Sequence, residues 1–171
     1  MPPHAATSLA LTLILTGACG GSAAPHAAAP HTTSGASSLH KGLNLKLATV
    51  YVDDQDKALR FYTDVLGFAK KDDVSQGGYR WLTVSSPEDP DGAELQLALD
   101  DNPAAKAFHQ AIFQQGQPAA MFFTSDIKAD YERIKAHGAE FTMPPTDVTA
   151  SMIATFKDTC GNLIQITQLK R

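Results

Sequence analysis

Short runs of alternating apolar and polar residues recur along the chain, separated by stretches with helical spacing. Leu45 to Val52 alternates and is rich in β-formers, so it reads as a strand. Asp53 or Asp54 then caps a helix, with Asp56 in its first turn. Ala58, Phe61, Tyr62 and Val65 fall on one face of that helix, and Gly67 ends it. Three strands are predicted next, at Phe68–Val74, Tyr79–Ser86 and Ala93–Leu99, with Gly77-Gly78 and Pro87–Gly92 as the turns. A second helix starts at Asp101 or Asn102 with Pro103 and runs to about Gln115. Its expected apolar face is Ala104, Ala107, Phe108, Ala111 and Ile112, and Gly116 and Pro118 stop it.

The pattern then repeats. Ala119–Thr124 reads as a strand, and Asp126 caps a helix that buries Ile127, Tyr131 and Ile134 and ends at Gly138. Strands follow at Glu140–Met143, Ser151–Lys157 and Asn162–Leu169. Asp54 and Asp126 stand 72 residues apart, and Glu94-Leu95 and Gln165-Ile166 stand 71 apart. Two β-α-β-β-β units at one spacing are an internal repeat. The expected fold class is α+β, with half one at about 45–100, a bridging helix at about 102–116 and half two at about 117–170.

Strand alternation assigns faces. Ala48, Val50, Val52, Leu82, Val84, Ala93, Leu95, Leu97, Leu99, Ile164 and Ile166 form the core faces. Opposite them lie Leu47, Thr49 and Tyr51; Tyr79, Trp81, Thr83 and Ser85; Glu94, Gln96 and Ala98; and Leu163, Gln165 and Thr167. Small-molecule sites combine aromatic walls with a few converging polar groups. The candidate cleft residues are therefore Leu47, Thr49, Tyr51, Trp81, Thr83, Glu94, Gln96 and Gln165. The competing reading is a solvated sheet face, common in antiparallel sheets, with Trp81 serving as packing. Glu94 is the candidate for chemistry, as a base or as an anchor for a cationic ligand. The alternative is a merely solvated glutamate.

Val50–Phe68 (VYVDDQDKALRFYTDVLGF), Ala93–Leu99 (AELQLAL) and Asp158–Ile166 (DTCGNLIQI) resemble the vicinal oxygen chelate superfamily of glyoxalase I, extradiol dioxygenases and bleomycin and fosfomycin resistance proteins. The resemblance implies paired βαβββ modules, two curved mixed sheets enclosing a cleft with helices outside. It also implies four metal-ligand positions, which fall on Leu47, Glu94, Ala119 or Ala120, and Gln165. Leu and Ala carry no donor atom, and catalytic metals normally need three or more side-chain donors. No cofactor is therefore expected; a divalent metal on Glu94 and Gln165 is the alternative. His109 and His137 lie on helices and are expected outside the cleft. The functional expectation is a metal-free domain that binds a small molecule. The alternatives are a metal-dependent lyase or dioxygenase and a tethered interaction module. A homodimer is compatible with each.

Charge then redraws the N-terminal end. The net charge of −4 and pI near 5.8 argue against nucleic acid as a partner. The first 40 residues contain no Asp, Glu, Lys or Arg, yet hold four of the six histidines. The domain is accordingly expected over 41–171, preceded by a separate segment over 1–40. Ser8–Ala18 is an apolar run too short to span a bilayer as a mature helix, and an Ala-, Pro-, His- and Ser-rich tether follows it. LTGAC resembles a bacterial lipobox, which would lipidate Cys19 and anchor the protein at a membrane after export. A plain secretory signal, and a start site placed too far upstream of a cytoplasmic domain, are the other two readings. Cys160 reads as a small residue in a turn, since Lys157 alone is a weak activator of a thiol.

Overall fold

The computed structural model describes residues 42–170. The segment expected to hold a leader-like run and a tether, with Cys19, lies outside the described residues. Each half forms one four-stranded mixed sheet. In the first, β1 (Leu47–Val52), β2 (Ala69–Gln76), β3 (Tyr79–Ser85) and β4 (Glu94–Leu99) lie in the order β1-β4-β3-β2. In the second, β5 (Pro118–Phe123), β6 (Glu140–Val148), β7 (Ser151–Lys157) and β8 (Leu163–Leu169) lie in the order β5-β8-β7-β6. The first and last strands of each half pair in parallel, and the other pairs are antiparallel. This is the α+β architecture of two βαβββ modules.

The helices begin where carboxylates or an amide can satisfy free backbone donors. Asp54 accepts from Lys57 N at 2.9 Å and starts α1 (Gln55–Arg60), which continues as a π turn over Phe61–Val65. Asn102 accepts from Ala105 N at 2.8 Å and starts α2 (Pro103–Gln114), which joins the halves. Asp126 accepts from Lys128 N and Ala129 N and starts α3 (Ile127–Ala136). Gly67 and Gly138, at φ 85° and 93°, take the left-handed conformation that closes α1 and α3.

The apolar faces of both sheets converge on one core. Val50, Val52, Leu82, Val84, Leu95 and Leu97 of the first sheet and Ala154, Phe156, Ile164 and Ile166 of the second are all buried. Ala58, Phe61, Tyr62, Ile127 and Ile134 of the helices lie among them. Phe61 approaches Phe156 at 6.3 Å and Phe68 approaches Phe122 at 5.0 Å between ring centroids, so the first helical segment touches the second sheet. Within one chain α1 with its π turn, and α3, thus pack between the core faces of the two sheets. The polar faces of β4 and β8 are turned away from each other. Alternation distinguishes the two faces of each sheet, but it does not say which face meets the other half. Ala48, Ala93 and Leu99, assigned to core faces, are exposed at strand ends.

Two further expectations are corrected. The buried face of α2 is Ala105 and His109, with Ile112 and Phe113 half-buried, whereas Ala104, Ala107, Phe108 and Ala111 are exposed. The histidine goes inward because Asp100 Oδ2 lies 3.0 Å from its Nδ1, and Phe108 instead meets Tyr51 edge-on at 6.3 Å. Strand β6 extends past Met143 through Pro144-Pro145 to Val148. It is an edge strand, and its pairing with β7 shifts register between Phe141 and Thr146, where proline is tolerated.

The halves are joined by two unequal seams. At one, Asp158 Oδ1 accepts from Cys160 N at 2.8 Å and Asn162 N at 2.7 Å. Its Oδ2 accepts from Asn162 Nδ2 at 2.8 Å and from the Tyr62 hydroxyl at 3.4 Å. Asn162 Nδ2 also donates to Tyr51 O at 2.9 Å, which ties half two to β1. At the other seam, Arg133 Nη1 donates to Val65 O at 3.1 Å, and an open groove of about 1340 Å³ lies beside it. By the repeat offset, Ile134 stands there where Tyr62 stands in half one.

Candidate functional site

The outer face of the first sheet carries a hollow of about 320 Å³, lined by Thr49, Tyr51, Gln55, Tyr79, Gln96 and Asp101 among others. Its shape follows from strand register. Tyr51 lies opposite Ala98 and Thr49 opposite Gln96 in the parallel β1–β4 pair, so a large side chain stands beside a small one and leaves space. Gln55, buried at the start of α1, donates through Nε2 to Leu97 O at 2.7 Å and Arg80 O at 3.1 Å. That amide holds the helix start, β3 and β4 in fixed relation under the hollow. Gln96 Oε1 accepts from Thr49 Oγ1 at 3.0 Å, and its Nε2 donates to the Tyr79 hydroxyl at 2.7 Å.

Arg80 also borders the hollow, but its charge is committed elsewhere. Its Nε donates to Asp73 at 2.7 Å and its Nη1 to Asp56 at 2.7 Å. The guanidinium in turn draws the Asp73 carboxyl from its ordinary 3.8 to about 2.

Of the residues singled out from sequence, Thr49, Tyr51 and Gln96 are brought together here. Leu47, Trp81, Thr83 and Glu94 belong to the same sheet but do not line the hollow. Thr83 is fully buried, its Oγ1 accepting from Asp72 N at 3.1 Å where the β2–β3 pairing shifts register between Lys70 and Asp73. Glu94 is half-buried beside Leu47, with no side-chain hydrogen bond among the described residues. Gln165 sits on the second sheet, donating to Thr167 Oγ1 at 3.0 Å. Alternation in β3 puts Tyr79 on the polar face, but no local signal sets it apart from Trp81 there. Gln55 carried no local signal, since its partners are distant in sequence.

The four positions that would ligate a metal do not fit one. Leu47 and the alanines at 119 and 120 offer no donor, and Glu94 and Gln165 lie on faces that point apart. No cluster of three or more His, Cys, Asp or Glu side chains with ligating geometry occurs among the described residues. His109 is buried against Asp100, and His137 is exposed at the end of α3, where its Nδ1 meets Arg133 O at 2.8 Å.

Cys160 is buried in the Asp158–Asn162 turn. Burial, aided by the nearby charges of Asp158 and Asp53, pushes its thiol up to about 12. In a pH 7.5 alkylation with iodoacetamide, native protein should therefore react at Cys160 far more slowly than urea-unfolded protein. Equal rates by mass spectrometry would contradict the buried turn.

The larger groove beside Arg133 lies on the helix side of the second sheet, with Phe68, Phe122, Phe123 and Met152 among its walls. It exists because the loop after β3 does not fold into the core as the Asp158–Asn162 turn does.

Comparison with known proteins adds four findings. The sequence model of the Glyoxalase/Bleomycin resistance protein/Dioxygenase superfamily matches residues 44–166. YurT of Bacillus subtilis (strain 168), described as uncharacterized, is 49% identical over 126 residues, 74% of this chain and 99% of that protein. Among solved structures, UcmS2 aligns with a TM-score of 0.66 at 29% identity, covering 74% of this chain and 98% of that one. TnmS3, an antibiotic binding protein from Streptomyces sp. CB03234, aligns with a TM-score of 0.58 at 28% identity, covering 75% and 97%.

Proposed function

This chain belongs to the Glyoxalase/Bleomycin resistance protein/Dioxygenase superfamily, and from that premise we propose that it binds a small aromatic molecule in the hollow of its first sheet, without a metal. The observation that carries the reading is the make-up of that hollow. Tyr51 and Tyr79 supply ring surface, while Gln96 and Thr49 present polar atoms already held by one another. A prearranged wall of this kind lowers the ordering cost of binding. The likeness to an antibiotic binding protein supports capture rather than chemistry. So does the donor set. One carboxylate and one amide on diverging faces leave too few ligands for a catalytic centre.

Titration of the full chain with planar two- and three-ring aromatics, followed by calorimetry, is the direct test. A binder should be found among them, and Tyr51→Ala should weaken it by at least about tenfold through loss of the ring face. Gln165→Ala, on the other sheet, should leave the affinity as it was. A binder insensitive to Tyr51→Ala would place the site elsewhere. Purification with about one equivalent of Ni, Zn, Mn or Fe, lost on Glu94→Ala, would favour the enzymatic alternative instead.

A further inference from the structure

The hydrogen bonds inside the hollow have a direction, and the direction selects a ligand. A primary amide has one accepting end and one donating end. Gln96 lies between two hydroxyls, so those hydroxyls must be in opposite states. Thr49 gives its only proton to Gln96 Oε1 at 3.0 Å. Tyr79 receives a proton from Gln96 Nε2 at 2.7 Å, and its own O–H stays free. Gln96 itself is buried at 8% exposure, whereas Tyr79 is 55% exposed at the rim. The chain Thr49→Gln96→Tyr79 therefore ends on a donor that opens onto the hollow.

Two other features narrow the class. The volume of about 320 Å³ is at the low end for small-molecule sites and suits two or three fused rings. Charge is poorly matched to an anion. The guanidinium of Arg80 is already bound by Asp73 and Asp56, and Asp101 is among the lining residues.

We infer that the ligand is a neutral, flat aromatic ketone or a close equivalent, whose carbonyl oxygen accepts the Tyr79 proton while its rings pack on Tyr51. This rests on the proposed binding role of the same hollow, and it names Tyr79 as the residue that determines specificity. Phe108, which does not line the hollow, braces the Tyr51 ring edge-on from α2.

Xanthone and xanthene make the test, since they share a tricyclic frame and differ by the carbonyl. Wild-type full chain should bind xanthone roughly three- to tenfold more tightly than xanthene, the range expected for one neutral hydrogen bond. Tyr79→Phe should bring the xanthone affinity down toward that of xanthene. Its circular dichroism and melting curve confirm that the variant is folded. If wild type binds both probes equally, or if the preference survives Tyr79→Phe, the donor assignment is overturned while the binding role stands. If neither probe binds wild type, the hollow itself is refuted as a site for flat aromatics, and the assignment falls with it.

Discussion

Phe156→Ala is expected to lower the stability of the domain by about 3–5 kcal/mol, the usual range for removing a buried phenylalanine. The side chain is fully buried on β7, where it packs against Phe61 of the first half at 6.3 Å and Phe141 of the second at 5.0 Å. Its loss would leave a cavity where the two modules share one core, and neither module can collapse into it without parting from the other. Urea unfolding followed by Trp81 fluorescence and far-UV circular dichroism would measure the effect. A loss under about 1 kcal/mol would mean that Phe61 and the first helical segment do not share a core with the second sheet as described.

Asp158→Ala is the second large effect, expected at about 3–5 kcal/mol by the same measurement. The carboxylate receives two backbone N–H groups, the Asn162 amide and the Tyr62 hydroxyl, all in the buried seam. Deleting it leaves several buried donors without an acceptor, each at a cost of about 1–3 kcal/mol, some of it recovered by relaxation or water. The pH dependence has a definite sign. Burial raises the Asp158 carboxyl, against the opposing pull of its hydrogen bonds and of His109. A raised carboxyl disfavours the charged form in the folded state, so its contribution to stability improves as pH falls through the folded value toward the unfolded one. Asp158→Asn, which removes the charge and keeps most of the shape, should lose less stability than the alanine variant and lack that component. If alanine proves no worse than asparagine, the hydrogen bonds of the seam carry little energy.

Much of this architecture could be read from spacing alone. The 72-residue offset between Asp54 and Asp126 marks two real helix caps, and alternation in β1, β3, β4 and β8 correctly sorts Val50, Leu82, Leu97 and Ile166 from Thr49, Tyr79 and Gln96. These are local signals, because period and capping depend on neighbours a few residues away. What escaped was non-local. The inward turn of α2 depends on Asp100 finding His109. The seam depends on Tyr62 meeting Asp158, 96 residues later. The floor of the hollow depends on Gln55 reaching Leu97, 42 residues away. Glu94, the residue most conspicuous in sequence, lies outside the hollow because a strand's polar face is longer than the depression in it. Tyr79 gains its importance only through a hydrogen bond from the neighbouring strand.

Duplication would by itself produce two equal joints, and this molecule has one clasped and one loose. Where Tyr62 and the Asp158–Asn162 turn lock together, the quasi-equivalent corner has Ile134, the Ser86–Gly92 loop and a groove. Breathing of the shared interior should therefore start on a single side, like a door on its hinge. The loop after β3 has room to be lengthened or altered without unseating the modules, whereas the turn after β7 has no such freedom.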